Sequence, residues 1–223
     1  MRIATPVGTA MLCTLLAACS SGPPVPDWKM NAQSAIERFE AAYLSGRTLV
    51  EQTEFQRARS QVAGTGKVDL IARVELLRCA TRVASLAYEP CSGFDALKED
   101  AGAADRAYAA WLAGTAQADD IALLPETQRA VAAAASDTQA ASAAVAIREP
   151  LAKLVAAGVL LRANRATPEL LDMAVATASD QGWRRPLLAW LGVQRLRAQQ
   201  AGDAQEAQRI ARRMALVGEP PAP

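Results

Sequence analysis

The chain contains no histidine, and only 4% of its 223 residues are aromatic. Without an imidazole, the usual general base for a serine or cysteine nucleophile is missing. The metal sites built on imidazole are missing with it. Lysine is almost as scarce, at positions 29, 67, 98 and 153 only, and no serine lies three residues before any of them, so Ser-Lys chemistry has no motif either. Gly64-Thr65-Gly66-Lys67 is too short to be a phosphate loop and reads as a helix break. The scarcity of aromatic rings also argues against a sugar-binding groove. Charge of neither sign dominates: 24 Lys and Arg stand against 23 Asp and Glu, which removes the electrostatic footprint of a nucleic-acid binder. No catalytic residue, metal ligand or cofactor is therefore assigned.

Carboxylates are the one catalytic class the composition leaves open. Glu37 with Glu40, Glu51 with Glu54, and Asp119 with Asp120 are close pairs. A spacing of three puts two carboxylates on one helix face, but an ordinary solvated face does the same. Charge is also uneven along the chain. Residues 95–147 are acid-rich and residues 148–223 base-rich, a pattern that solvated helix faces explain.

What the sequence has in abundance is helix formers. Ala, Leu, Arg, Gln and Glu dominate from residue 30 onward, and no strand-like alternation appears. The expected fold class is all-α. Ala32, Ile36, Phe39 and Tyr43 form one apolar stripe, closed by Gly46. A second helix is predicted from Leu49 to Val62 with Phe55, Ala58 and Val62 inward, ending at Gly64. A third is predicted from Val68 to Tyr88 with Leu70, Val74, Leu77, Thr81 and Ala84 inward, closed by Pro90. Pro125, Thr167-Pro168 and Pro186 suit helix starts. Pro150 is expected to split the alanine-rich stretch 127–163 into two helices. Leu151–Leu161 is half the length of a membrane span and reads as a buried helix.

The amino terminus has its own pattern. Arg2 is followed by the apolar run Ala10–Ala18, with small residues at Ala17 and Ala18 before Cys19. The run is too short, and too broken by Thr5, Pro6, Gly8 and Thr9, for a retained span. Leu16-Ala17-Ala18-Cys19 resembles the lipobox of bacterial lipoproteins, whereas Cys13 follows the bulky Leu12. The resemblance implies a signal peptide over residues 1–18, cleavage before Cys19, and lipidation of the Cys19 thiol, the modification followed by palmitate labelling. Several acyl chains hold a protein at a bilayer where one is marginal. Residues 19–29 then form the lipidated cysteine and a Pro/Gly/Ser tether, 30–218 a helical domain, and 219–223 a disordered tail. Ser20 after the cysteine, rather than Asp, implies by similarity to lipoprotein sorting an outer-membrane, periplasm-facing location, with inner membrane and cell surface as alternatives.

Two cysteines remain, Cys79 and Cys91, and an even pair in an oxidising compartment predicts a disulfide. Closing a loop of that length stabilises a fold by about 3 kcal/mol in the chain-entropy account.

Phe39, Tyr43, Gly46, Phe55 and Ala58 fall near the spacings of a tetratricopeptide unit, with Glu51 in a place usually small. Gly202-Asp203, Ala207, Ala211, Met214 and Pro220 give a second partial match. The chain thus resembles a tetratricopeptide-like array of antiparallel helical hairpins, an irregular helical bundle being the alternative. Its Ala/Arg-rich helices behind a lipobox also resemble small lipoproteins of high-GC Gram-negative bacteria. Trp183-Arg184-Arg185, followed by Trp190, Arg195 and Arg197, is a candidate partner-binding surface, because Trp and Arg are enriched at interface hot spots. The alternative places Trp190 in the core and the arginines on a solvated face. The functional expectation is a membrane-tethered interaction or scaffold protein that binds an envelope protein and no nucleic acid. The alternatives are a carboxylate-dependent enzyme acting on peptidoglycan and a purely structural envelope lipoprotein.

Overall fold

The computed structural model describes residues 26–218. These residues form eleven α-helices and one 3-10 helix, with no strand among them. The chain is all-α, as its composition predicts. The signal-peptide segment, Cys19 and the tail from 219 lie outside the described residues.

The first helix, α1 (Asp27–Leu44), begins three residues before the predicted domain boundary. Pro26 holds its φ at −59° just ahead of the first turn, and Asp27 places a negative charge at the positive end of the helix. Trp28, assigned from sequence to the tether, packs against the apolar stripe and so belongs to the domain. Helix α2 (Thr48–Ala63) runs back along α1, and α3 (Val68–Ala84) lies across both. Phe39, Phe55, Ala35, Ala58 and Val74 form a small core among these three helices, with the two phenylalanine rings edge-to-face at 5.7 Å.

Helix α3 stops at Ala84, four residues earlier than predicted. Leu86 takes a left-handed φ of 60°, and the Ala87 N–H turns back to the Arg82 carbonyl. Packing of Leu86 on the main core holds this turn, so a leucine rather than the later Pro90 ends the helix. The opposite face of α3 (Ala72, Leu76, Ala80, Val83) belongs to a second, larger core. One helix is therefore a wall shared by two apolar clusters.

Around that larger core stand α4 (Ser92–Asp95), α5 (Ala103–Ala113), the 3-10 helix Ala118–Leu123, α6 (Glu126–Ala132), α7 (Asp137–Ala146), α8 (Pro150–Arg162), α9 (Pro168–Asp180), α10 (Arg184–Gln200) and α11 (Ala204–Gly218). The alanine-rich stretch makes three helices rather than two. Pro150 opens α8 as expected, but Ser136 starts another by accepting the Gln139 N–H at its own helix N-terminus. Thr167 caps α9 in the predicted way, accepting from the Leu170 N–H, with Pro168 in the first turn.

Helix α8 is the buried axis. Every residue from Leu154 to Leu160 is buried, so it shows no amphipathic stripe. Gly158 is where it meets α3: a β-carbon there would run into the Val83 carbonyl. The Tyr88 hydroxyl donates to the Gly158 carbonyl at 2.8 Å across the same contact. Trp190 of α10 is fully buried, and its indole N–H donates at 3.0 Å to the Ala84 carbonyl, one of the unpaired acceptors at the end of α3. A buried amide relay joins three more helices: Trp111 Nε1 of α5 donates to Gln128 Oε1 of α6, and Gln128 Nε2 donates to the Ala152 carbonyl of α8, each at 3.0 Å.

Candidate functional site

The Cys79 and Cys91 sulfurs lie at disulfide distance, with their Cα atoms 5.9 Å apart. The pair ties the start of α4 to α3, where Phe94 inserts into the main core. Gly93 passes so close to the Glu75 carboxylate that a β-carbon there would make the carboxylate shift. Beside the disulfide, a recess of about 320 Å³ is bounded by Tyr88 and Arg162. The Arg162 guanidinium sits 5.3 Å from the Tyr88 ring centroid. Burial pushes the Tyr88 phenol up to about 12 against the opposing pull of Arg162.

The three residues of the predicted partner surface are half-buried and each makes contacts within the fold. Trp183 is half-buried against the main core. Arg184 donates to the Val217 and Gly218 carbonyls at 3.1 and 3.2 Å, covering unpaired acceptors at the end of α11. Arg185 donates to the Tyr43 carbonyl at 2.8 Å and to Thr48 Oγ1 at 3.0 Å, with its guanidinium 4.4 Å from the Tyr43 ring centroid. These contacts fasten α10 to α11 and to the α1–α2 turn, and they occupy both guanidinium groups within the fold.

The carboxylate pairs separate into two kinds. Glu51, only 3% exposed, accepts from Arg78 Nε at 2.8 Å. Arg78 reaches it from α3 while lying 4.1 Å from the Phe55 ring centroid. Glu54 is bound by Arg38 and Arg57, and Glu75 by Arg59, all at 2.8 Å. Asp119 and Asp120 flank the start of the 3-10 helix, where Asp120 accepts the Gln117 N–H. These are structural roles. Glu40 is different. It is half-buried on α1 without an arginine, and its carboxyl is pushed up to about 7 by burial first, then by repulsion from Glu149 and Glu37. Glu149 lies at the α8 N-terminus, where its carboxylate accepts the Leu151 and Ala152 N–H groups.

A groove with a largely apolar lining runs between α3, α5 and the 3-10 helix. Arg73, Leu76 and Leu77 of α3 form one wall, Asp105 and Tyr108 of α5 the floor, and Leu123-Leu124-Pro125 the other wall, enclosing about 420 Å³. Arg73 and Asp105 meet at 3.4 Å on its polar side, and Leu123 is 43% exposed at its lip. The Tyr108 phenol is raised by burial first, then by the charges of Glu149 and Glu40. Sequence patterning located Glu37 and Glu40 but neither Glu149 nor the groove. Those residues come from separate helices, and the α3 periodicity placed Leu77 on the inward stripe without marking Leu76. Among the described residues no cluster of acids and thiols fits a metal ion, and no helix is long and apolar enough to cross a membrane. Compared with protein-family models, curated proteins and solved structures, the chain shows no match, so its function is argued from its own residues.

Proposed function

We propose that this chain is a lipid-anchored interaction protein of the bacterial cell envelope, held at a membrane through Cys19 and facing the periplasm, with the groove between α3, α5 and the 3-10 helix as its partner-binding surface. The observation that carries this reading is the groove itself. Six apolar side chains line it, with one ion pair along its side, and apolar walls with few polar groups are the usual character of a recognition site. The lipobox resemblance supplies the location, and the disulfide-distance cysteines agree with an oxidising compartment.

The test has two readouts in intact cells. A photo-crosslinking side chain at Leu123 is expected to capture one envelope protein, whereas the same group at the exposed Leu216 is not. Labelled palmitate is expected to enter the protein and to be lost in Cys19→Ala. Equal capture at both positions would remove the groove from the proposal. Label retained in Cys19→Ala would remove the anchor.

The second reading is a carboxylate-dependent enzyme acting on peptidoglycan. Glu40 favours it, because a carboxyl still protonated near neutral pH suits a general acid. Release of soluble fragments from purified peptidoglycan, abolished in Glu40→Gln, would establish it. No release by the parent protein sets it aside.

A further inference from the structure

The arginines of this protein are used in two ways. All six on α1, α2 and α3 meet a carboxylate. Of the seven on α10 and α11, Arg209 alone does so among the described residues, with Glu206. Residues 184–218 hold only two acids, Asp203 and Glu206. Arg184, Arg185, Arg197 and Arg213 are held by backbone carbonyls or hydroxyls, which fix a guanidinium without cancelling its charge. Arg195 and Arg212 are exposed and have no polar partner among the described residues.

An open groove of about 370 Å³ runs between these two helices. Arg195 and Gln199 of α10 and Gln208 of α11 line it, with Gly202 and three alanines completing the lining. Its polar side chains are thus one guanidinium and two amides, with no acid among them. A guanidinium beside amides, over residues small enough to let a tetrahedral group approach, is a donor set for phosphate oxygens. Helix α11 has its apolar face committed to the fold: Ala207 and Ile210 are buried, and Met214 and Val217 pack on the main core. It turns Gln208, Arg209, Arg212 and Leu216 to solvent, and Leu216 is 71% exposed. On α10, Leu196 beside Arg195 is 53% exposed. Single leucines among arginines do not make the continuous apolar centre of a protein interface. They suit a bilayer surface, where guanidiniums meet headgroup phosphates and isolated apolar side chains reach the acyl boundary.

We infer that the outer surface of α10 and α11 docks on anionic phospholipid, with Arg195 and Arg212 meeting headgroup phosphates. The inference rests on the proposed anchor for its setting alone, since a tethered domain meets the bilayer at high effective concentration. The contact is peripheral, because the apolar face of α11 is occupied within the fold. The acid-rich stretch 95–147, which carries α5 and the 3-10 helix of the partner groove, is repelled by the same surface.

Co-sedimentation with vesicles tests it, on the full chain carrying Cys19→Ala, which cannot be acylated at that position. The vesicles are phosphatidylcholine alone, or phosphatidylcholine with phosphatidylglycerol at about 3:1. Binding to the mixed vesicles is expected to be about a hundredfold tighter than to the neutral ones, and to weaken as salt is raised. Arg195→Gln together with Arg212→Gln should weaken it about thirtyfold, each arginine at an anionic surface being worth roughly fivefold. The melting temperature of that variant should match the parent's, since neither side chain has a partner to lose. Lys67→Gln together with Lys98→Gln removes the same charge from exposed positions on other elements, and should weaken binding less than about threefold. Equal affinity for the two vesicles, or equal losses in the two double variants, would overturn the inference. So would displacement by inorganic phosphate at matched ionic strength, the mark of a pocket for a free anion. Polyglutamate bound as tightly as the mixed vesicles would overturn it too, in favour of an acidic protein partner. Failure of palmitate labelling at Cys19 would remove the anchor and leave each of these measurements standing.

Discussion

The two cores of this protein are built by different chemistry. Around α8 the helices meet through alanine, leucine, valine and one glycine, and close approach supplies the contact: Gly158 touches the α3 backbone, and Trp190 seals the end of that helix. Among α1, α2 and α3 the apolar core is small, and arginine–carboxylate pairs bind the helices together around it. The difference lies in how each region fails. An apolar contact is lost by volume and is nearly indifferent to pH and salt. A charged contact is lost by removing one partner, because the survivor stays in a poorly solvated place.

Trp190→Ala is the sharpest way to break the apolar region. It removes the largest fully buried side chain and leaves the Ala84 carbonyl without its donor. The expected loss is about 4–5 kcal/mol, from the cavity and the unsatisfied acceptor together. Denaturant unfolding at pH 6 and pH 8 measures it, and the loss should be equal at the two values. A loss that differed strongly between them would mean the two regions are not chemically distinct.

Arg78→Met tests the charged region. It keeps much of the side-chain volume over Phe55 and leaves Glu51 buried without a partner. About 3 kcal/mol is expected, the range for breaking a buried pair from one side. Adding Glu51→Met should restore most of it, because the penalty lies in the orphaned charge rather than in the missing bond. If the double variant is as unstable as the single, the pair holds the hairpin by geometry and not by charge balance.

Glu40→Gln separates the two regions by sign, since it should stabilise. A carboxyl raised in the folded chain is bound to its proton more tightly there than in the unfolded chain. Folding is then most favourable below the ordinary value of 4.5, and stability declines as pH climbs from 4.5 through about 7. Glutamine cannot ionise, so the variant should match the parent near pH 4 and exceed it near pH 8. The ceiling on that gain is about 3 kcal/mol, with roughly 2 kcal/mol a reasonable expectation for a half-buried group. Unfolding midpoints across the same pH range decide it, and a variant less stable than the parent at pH 8 would reverse the sign.

Much of the all-helical architecture was legible because apolar periodicity and helix-start residues are local signals. Phe39, Phe55, Thr167 and Pro168 announce their roles within a few positions. What could not be read came from contacts distant in sequence. Helix α3 ends at Leu86 because of what packs on that leucine, and nothing in the adjacent residues marks it. Ser136 did carry a local cap signal, but its place inside an alanine-rich stretch masked it. For the site, the cysteine pairing followed from count and compartment alone. The groove required three dimensions, since it joins side chains from helices far apart in the chain.

Arg184→Ala has the smallest expected effect, and it bears on how the base-rich end of the chain is used. From sequence, Trp183-Arg184-Arg185 is a hot-spot pattern waiting for a partner. In the fold Arg184 is already a donor to the last carbonyls of α11. Those carbonyls are partly exposed, so water replaces much of what the guanidinium provides, and the loss should be about 1 kcal/mol. It should be confined to α11, read as faster exchange of its final turn with α9 unchanged. Partner capture at Leu123 should persist in this variant, because Arg184 does not line the groove. If Arg184→Ala instead abolished capture and left α11 protection untouched, the charged end of the molecule, and not the apolar groove, would be the surface that meets the partner.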